Sequence, residues 1–320
     1  MNILVVIVNY GTARLVADCL RSLVEQRSRP IVLRVVIVDN ASDDDSVQYL
    51  GALINEHRWD SWVSLLQLDR NHGFSYGNNA VIRPALEQAR PPDYVMLLNP
   101  DTVTRRGAII SLIEFMQEHP KAGIAGSRLE DPDTTPQISA FRFHSVPSEF
   151  QGSLNLGIVT RLMRRWVVAP PVRNESHTCD WVAGAAMMVR REVFEAIGLF
   201  DDGYFLYFDE VDFCLRARRA GWACWYAPAS RVVHLVGQAT HISDSRLKTG
   251  RRPAYWFTSR RRYFLKHFGR CRALGADLAH VTGHGFWRIH RFVQRKADNS
   301  PPKFMRDLLC HSVVFKGFRV

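Results

Sequence analysis

The chain has no CxxC pair and no His/Cys cluster at zinc-ligand spacing; its six cysteines (19, 179, 214, 224, 271 and 310) lie scattered over 320 residues. That pattern excludes a disulfide-stapled scaffold and a structural zinc module, and it fits a reduced cytosolic protein with buried thiols. No window approaches the ~18 apolar residues of a membrane-spanning helix, so the chain is not expected to be integral to a membrane. The opening MNILVVIVNYG has no basic residue ahead of its apolar run, which stops at Asn9. It reads as a strand and not as a signal peptide. No GxGxxG follows that first run and no GxxxxGK[ST] occurs anywhere, which argues against a dinucleotide-binding dehydrogenase and a P-loop NTPase. The first loop, NYGTARL, also lacks the glycine- and lysine-rich sequence a nucleotidyltransferase would need.

What the chain does have is apolar residues (47%), aromatics (11%) and a net charge of +11 that is unevenly placed. From Arg246 to Val320 there are 18 Lys and Arg against three acids, whereas the preceding 245 residues hold 24 basic and 28 acidic side chains. A mildly acidic body therefore carries a strongly basic tail. The tail is aromatic as well, in YWFTSRRRYFLKHFGR and GFWRIHRFVQRK. Basic and aromatic residues at helical spacing suit an anionic surface, a membrane or a nucleic acid; the plainer reading is a solvated basic face over a helical core.

The first hundred residues alternate short apolar runs with amphipathic segments: ILVVIV, a helix over 12–26, LRVVIV, VSLLQL, a helix over 75–89, then YVMLL. The alternation predicts a doubly wound α/β layer with a mostly parallel sheet. Ligands bind such sheets beyond the carboxyl ends of the strands. Here those ends carry Asn9, Asp39, Asn71 and Asp101, four polar residues on one expected edge. HGFSYGNN, from His72, holds two glycines and opens a helix, so backbone N–H groups near Gly73 could meet an anion. From about 130 to 178 regularity falls, and EDPDTTPQ, SVPSEFQG and APPVRNESHT read as loops. LNLGIVTRLMRRWVV, within that stretch, is either a packed helix or a lid or lipid-facing segment. WACWYA reads as a strand stopped by Pro228, with RVVHLV after it. The boundary between a catalytic domain and the basic module is expected near 240, giving domains 1–240 and 241–320.

One stretch stands apart. YFLYFDEVDF, Tyr204 to Phe213, sets Asp209, Glu210 and Asp212 among aromatic and aliphatic neighbours. Apolar surroundings raise the cost of a charged carboxylate, so such acids have a partner or a task. The plain account is a helix that begins near Asp209 and stops at Gly221, with acids in its first turn favoured by the helix dipole.

Read together, VVIVNY, VIVDNAS, NHGFSYGNN, LLNPDT, WVAGAAMMVRREVFEAIGLFD, YFDEVDFCLR and VVHLVG resemble, in order, the motifs of family 2 glycosyltransferases, and among these the bacterial rhamnosyltransferase-like enzymes. The likeness spans roughly residues 3–240. It implies a GT-A fold, with a mostly parallel sheet flanked by helices and a basic helical C-terminal module. It also implies inverting transfer of a sugar from a nucleotide diphosphate, L-rhamnose from dTDP-L-rhamnose or else a UDP-sugar such as UDP-galactofuranose. The acceptor would be a lipid-linked or polysaccharide hydroxyl in cell-envelope glycan synthesis. Carried over by position, Asp39 resembles the acid that meets the nucleotide base, with Asn9, Asn71, Gly73 and Asn99 lining that pocket. Asp101 resembles the last acid of a DxD motif that holds Mg²⁺ or Mn²⁺ on the diphosphate; Asn99 stands where the motif has its first acid. His234 is either a core histidine or a further metal ligand. Glu210 resembles the catalytic base, with Asp209 beside it. Trp181, Gly184, Ala185 and Asp212 resemble positions that face the donor sugar and acceptor, although Asp212 equally suits a pairing with Arg216. The expected setting is cytoplasmic, peripheral at the cytoplasmic membrane; a nucleic-acid-binding protein is the reading from another class, and nucleic acid is not the expected partner.

Overall fold

A computed structural model describes residues 1–27, 31–154, 156–235, 250–295 and 300–319. These fall into two compact units. The first takes Met1–Phe141, Pro171–Phe205 and Asp209–His241; the second takes Arg142–Pro170, Leu206–Phe208 and Ile242–Val320. The boundary expected near residue 240, and the last two residues of VVHLVG, lie outside the described residues.

In the first unit the apolar runs become strands, as their β-branched composition favours. In chain order these are β1 (Asn2–Asn9), helix α1 (Ala13–Val24), β2 (Val32–Asp39), α2 (Ser46–Glu56), β3 (Val63–Gln67), α3 (Phe74–Leu86), β4 (Tyr94–Leu98), β5 (Thr102–Thr104), α4 (Ala108–Glu118), β6 (Ala122–Glu130) and β7 (Ala140–Phe141). The second unit then takes α5 (Val146–Leu154), α6 (Gly157–Leu162) and a 3-10 turn over Arg164–Trp166. The chain returns to the first unit as β8 (His177–Cys179), β9 (Trp181–Val182), β10 (Ala186–Arg190), α7 (Arg191–Ile197), α8 (Asp209–Arg219) and β11 (Ala223–His234). The main sheet runs in the order β3-β2-β1-β4-β10-β6-β11-β5, with β8 on β11 and a separate β7-β9 pair. Pairings β3-β2, β2-β1, β1-β4 and β6-β11 are parallel, while β10 runs against both its neighbours. The sheet is mixed but mostly parallel. One face of these strands builds a core: Ile3, Val5 and Ile7 pack with Val35, Ile37, Met96 and Leu98.

Three local expectations are corrected. Pro228 does not end a strand, because β11 runs through it: the register with β6 jumps between Ala227 and Arg231. A bulge lets a residue without an N–H sit in a strand, since the bulged residues owe no ladder bond. SVPSEFQG is helical, not a loop. Ser145 and Ser148 cap each other's N–H groups (2.8 and 3.3 Å), and Pro147 falls in the first turn, where its missing donor is harmless. Third, α6 has no buried residue, so it is not a packed helix.

The second unit contains α5, α6 and three C-terminal elements, α9 (Ala254–Val293), α10 (Phe304–Cys310) and α11 (Val313–Lys316). Gly269, at φ 77° and ψ 179°, breaks α9 into two arms. The arms fold back on each other, since Arg260 in the first bonds Asp277 (2.6 Å) and the carbonyl of Ala276 (3.0 Å) in the second. Glu149 of α5 enters the same knot, accepting from Arg260 (2.8 Å) and meeting His280 (2.7 Å) and His144 (3.2 Å). Burial pushes the Glu149 carboxyl up, but Arg260 and the two histidines overcome it and hold it well below the usual carboxylate range.

Candidate active site

The parallel register sets Asn9 beside Asp39 at the carboxyl ends of β1 and β2. Asn9 Nδ2 donates to Asp39 Oδ2 (2.8 Å), while Asn9 Oδ1 accepts from the N–H and hydroxyl of Thr12 (3.1 and 2.8 Å). Asp39 also accepts from Ser42 through its backbone N–H (2.9 Å) and hydroxyl (2.7 Å). Both residues are fully buried. The pair therefore ties the loop after β1 to the loop after β2 and shapes this edge from beneath.

Asn71 and Gly73 follow β3. Asn71 Oδ1 accepts from the Gly73 N–H (3.0 Å) and from Asn40 Nδ2 (2.9 Å); Asn40 Nδ2 also reaches the Gly73 carbonyl (3.2 Å), and its Oδ1 takes the His72 N–H (3.2 Å). Gly73 has φ 88°, and a Cβ there would lie 2.1 Å from the Phe205 carbonyl oxygen. The same oxygen accepts from Phe74 N–H at 2.7 Å. Only glycine satisfies both the left-handed φ and the close approach. Through that contact the strand-end loop is fastened to the segment that leads into the acid cluster. Asn79 makes a second tie, donating to the Phe200 carbonyl (2.8 Å) and Asp202 (2.6 Å) and accepting from Phe200 N–H (3.1 Å). The sequence reading gave no role to Asn40 or Asn79; the signal for Asn40 was its place beside Asp39 at a strand end, and for Asn79 its place in NHGFSYGNN.

After β4 the Asn99 N–H donates to the Ala185 carbonyl (3.0 Å), and the Asn99 carbonyl takes the Thr102 hydroxyl (2.7 Å). The Ala185 methyl lies in the hydrophobic core, and its backbone carbonyl holds Asn99. A Cβ at Gly184 would touch only the Phe74 ring, at 3.6 Å. Asp101 is buried, and its Oδ1 makes no hydrogen bond among the described residues. His234, at the end of β11 and opposite Thr102 of β5, brings its Nε2 to 3.4 Å from that oxygen. A buried carboxylate oxygen with spare lone pairs next to an imidazole is a donor set that fits a divalent cation. Among the described residues no three His, Cys, Asp or Glu side chains gather as a metal cluster. A cation held here would complete its shell with phosphate oxygens and water, as Mg²⁺ and Mn²⁺ do on nucleotides.

The acids sit in the first turn of α8. Tyr207 and Phe208, directly before it, both adopt left-handed φ (67° and 64°), a conformation that costs a non-glycine residue about 1–2 kcal/mol. Asp209 is buried with Oδ2 unbonded among the described residues, and burial raises its carboxyl. Glu210 is held well above the usual carboxylate range, first by burial and then by the charge of Asp209.

Asp212 does not join them. Its fully buried carboxylate accepts from Arg216 Nε (2.8 Å) and Tyr204 OH (3.3 Å), and Arg216 continues to the carbonyls of Ile197 and Leu199 (2.8 Å each). The expectation that Asp212 meets donor sugar or acceptor is corrected: its oxygens are committed to anchoring α8. Trp181 of β9 stacks on Phe141 of β7 (4.1 Å, 14°) and remains part-exposed. The structure thus brings Asn9, Asp39, Asn71, Gly73, Asn99 and Asp101 to the strand-end side of one unit. It pairs Asp101 with His234, and links Gly73 to the segment before Asp209 and Glu210.

A family model for Glycosyl transferase family 2 matches residues 4–198. The N-acetylglucosaminyl-diphospho-decaprenol L-rhamnosyltransferase of Mycobacterium tuberculosis is 30% identical over 260 residues, covering 78% of each chain. Rhamnosyltransferase WbbL of Escherichia coli is 30% identical over 166 residues, 51% of this chain and 61% of that one. Among solved structures, a mannosyltransferase from Pyrobaculum calidifontis in complex with GDP-Man and Mn²⁺ superposes with a TM-score of 0.54 at 16% identity, covering 99% of this chain and 81% of that one. At that identity the likeness establishes the GT-A-like fold.

Proposed function

Because the chain belongs to glycosyl transferase family 2, we propose that it transfers L-rhamnose, with inversion, from dTDP-L-rhamnose to a hydroxyl of a lipid-linked acceptor in cell-envelope glycan synthesis. The donor and acceptor rest on the likeness to the mycobacterial L-rhamnosyltransferase. The observation that carries the chemistry is Glu210: a carboxyl whose proton affinity is raised, in the first turn of α8, fastened through Phe205 to the loop at Gly73.

A sugar hydroxyl attacks an anomeric carbon only as its proton leaves, so it needs a positioned base. Glu210 takes that proton while the acceptor oxygen bonds to the anomeric carbon. The bond from that carbon to the diphosphate breaks, and the nucleoside diphosphate departs with the electron pair. A raised pKa makes Glu210 a stronger base once ionised, nearer the optimum for work at neutral pH. Asp209 maintains that elevation by its charge. Asp101 and His234 would hold a divalent cation, which when bound neutralises charge on the departing diphosphate. The Ala185 carbonyl fixes the Asn99 backbone beside Asp101. Asn9 and Asp39 hold the loop against which the nucleotide base would pack, and Trp181 offers an aromatic face to a sugar ring. A lipid-linked acceptor would bring the enzyme to a membrane surface, and no helix among the described residues is long and apolar enough to cross one.

The test is release of nucleoside diphosphate from a panel of dTDP- and UDP-sugars, UDP-galactofuranose included, with and without a polyprenyl-diphosphate-sugar acceptor. Acceptor-stimulated release from dTDP-L-rhamnose above all other donors is expected. Stimulated release from a UDP-sugar instead would replace the donor, and no release from any donor would overturn the proposal.

A further inference from the structure

In the second unit the described acids are Glu149, Asp277 and Asp307, against nineteen lysines and arginines. All three are buried, and each is held by an arginine: Glu149 and Asp277 by Arg260, Asp307 by Arg251. The outer surface of the unit, over the described residues, therefore presents cationic side chains and no carboxylate side chain.

The second arm of α9 outruns this unit's core. Its last buried residue is His284, yet the helix continues to Val293, roughly 13 Å further at 1.5 Å per residue. Along that extension Phe286, Ile289, Phe292 and Val293 are between 55% and 82% exposed. At 100° per residue these four fall within one side of the helix, and Arg288 and Arg291 fall on the adjoining side, with Arg295 just past the helix end. Trp287, under Arg291 (5.2 Å) and stacked on His284 (5.3 Å), closes the base of the extension. A second exposed apolar pair lies close by. A Cβ on Gly283 would lie 2.1 Å from Ser153 Oγ and 2.7 Å from the Phe150 carbonyl, so the extension starts at the C-terminal end of α5. There α6 begins, its Thr160 bonded to Gln151 (3.1 Å), with Ile158 and Leu162 each 78% exposed and Arg161 between them.

A soluble domain rarely leaves six large apolar side chains this exposed unless a partner covers them. Arginines beside the apolar side, with no competing surface carboxylate among the described residues of this unit, specify that partner's charge. We propose that the extension of α9 from Phe286 to Val293, with Arg295 just beyond its end and the Ile158 and Leu162 edge of α6, docks on the surface of a bilayer containing anionic phospholipid. The apolar side sinks to the level of the acyl boundary and the arginines meet the phosphates, the arrangement of a helix lying in the interface plane. The inference rests on the reading of a lipid-linked acceptor above, and it adds the surface that would keep the enzyme at the plane where such an acceptor resides.

The experiment is vesicle co-sedimentation of the full chain, using phosphatidylcholine alone and phosphatidylcholine with phosphatidylglycerol. Binding to the anionic vesicles is expected, weakening as salt rises. Phe286→Ser with Phe292→Ser should lower it by about tenfold or more. Arg288→Gln with Arg295→Gln should weaken it and flatten its salt dependence. Turnover with a short, water-soluble acceptor should be unchanged in both double variants. Undiminished vesicle binding by the phenylalanine variant would overturn the inference. So would a dimer that this variant dissociates while vesicle binding persists, because the face would then belong to a second copy. If binding behaves as expected but no donor is turned over by any form, the docking surface stands and the transferase reading falls.

Discussion

At Glu210 burial and the charge of Asp209 act in the same direction, each raising the carboxyl's hold on its proton. A base works only when ionised, so activity should climb as pH rises through that raised pKa. The acidic limb of the rate profile should therefore sit above the usual carboxylate range. Asp209→Asn removes one of the two causes and should move the limb to lower pH; a limb that stays in place would separate Asp209 from the titration. Gly73 is as sharply determined. Gly73→Ala would combine a strained left-handed φ with a methyl against the Phe205 carbonyl, at a cost of about 2–4 kcal/mol. Thermal unfolding should show the loss, together with weaker donor binding as the loop leaves the acid segment. The acid pair itself was legible because carboxylates inside an aromatic run are chemically conspicuous. Asn40 and Asn79 were not, since the partners that reveal them, His72 and Phe200, are 32 and 121 residues away.

At the scale of elements, apolar runs of the right length announced the strands of the first hundred residues, and the helix from Asp209 ended before Gly221 as read. What composition hid was context. Pro228 looked like a stop until a bulge accommodated it, and a Ser-Val-Pro-Ser sequence that read as a loop proved to be a helix cap. The acids are sorted the same way: Asp212 is structural because Arg216 lies one turn on and Tyr204 beneath it. Asp212→Ala should destabilise the first unit by about 3–5 kcal/mol by stranding the Arg216 charge, measured by denaturant unfolding. In the second unit Glu149 binds two helix arms together through Arg260 and His280. Its folded pKa is depressed, so its stabilisation is present above the unfolded value and lost as pH falls through the folded one. Stability of this unit should then persist through the range where ordinary glutamates protonate and collapse only in stronger acid. Glu149→Gln should remove that resistance, which circular dichroism against pH would record.

Across the whole molecule the charge asymmetry seen in composition reappears in space: an acidic body with the sheet, and a second unit whose described acids are all buried beneath arginines. The sequence did not disclose that 142–170 joins the C-terminal helices, because no periodicity links α5 to α9; the partnership rests on one buried carboxylate and a close approach at Gly283. Removing divalent cations with EDTA should abolish transfer, and His234→Ala should raise the metal concentration needed to restore it; unchanged metal demand in that variant would remove the histidine from the site.

The account turns on Glu210 as the base, and the most direct measurement compares wild type with Glu210→Gln for both donor binding and acceptor-dependent release of dTDP from dTDP-L-rhamnose. An isosteric amide keeps the fold and the nucleotide loop but cannot take the proton. Donor affinity should hold within a few-fold while transfer falls by roughly 10²–10⁴. Transfer within tenfold of wild type, with donor still bound, would contradict the assignment and place the base elsewhere.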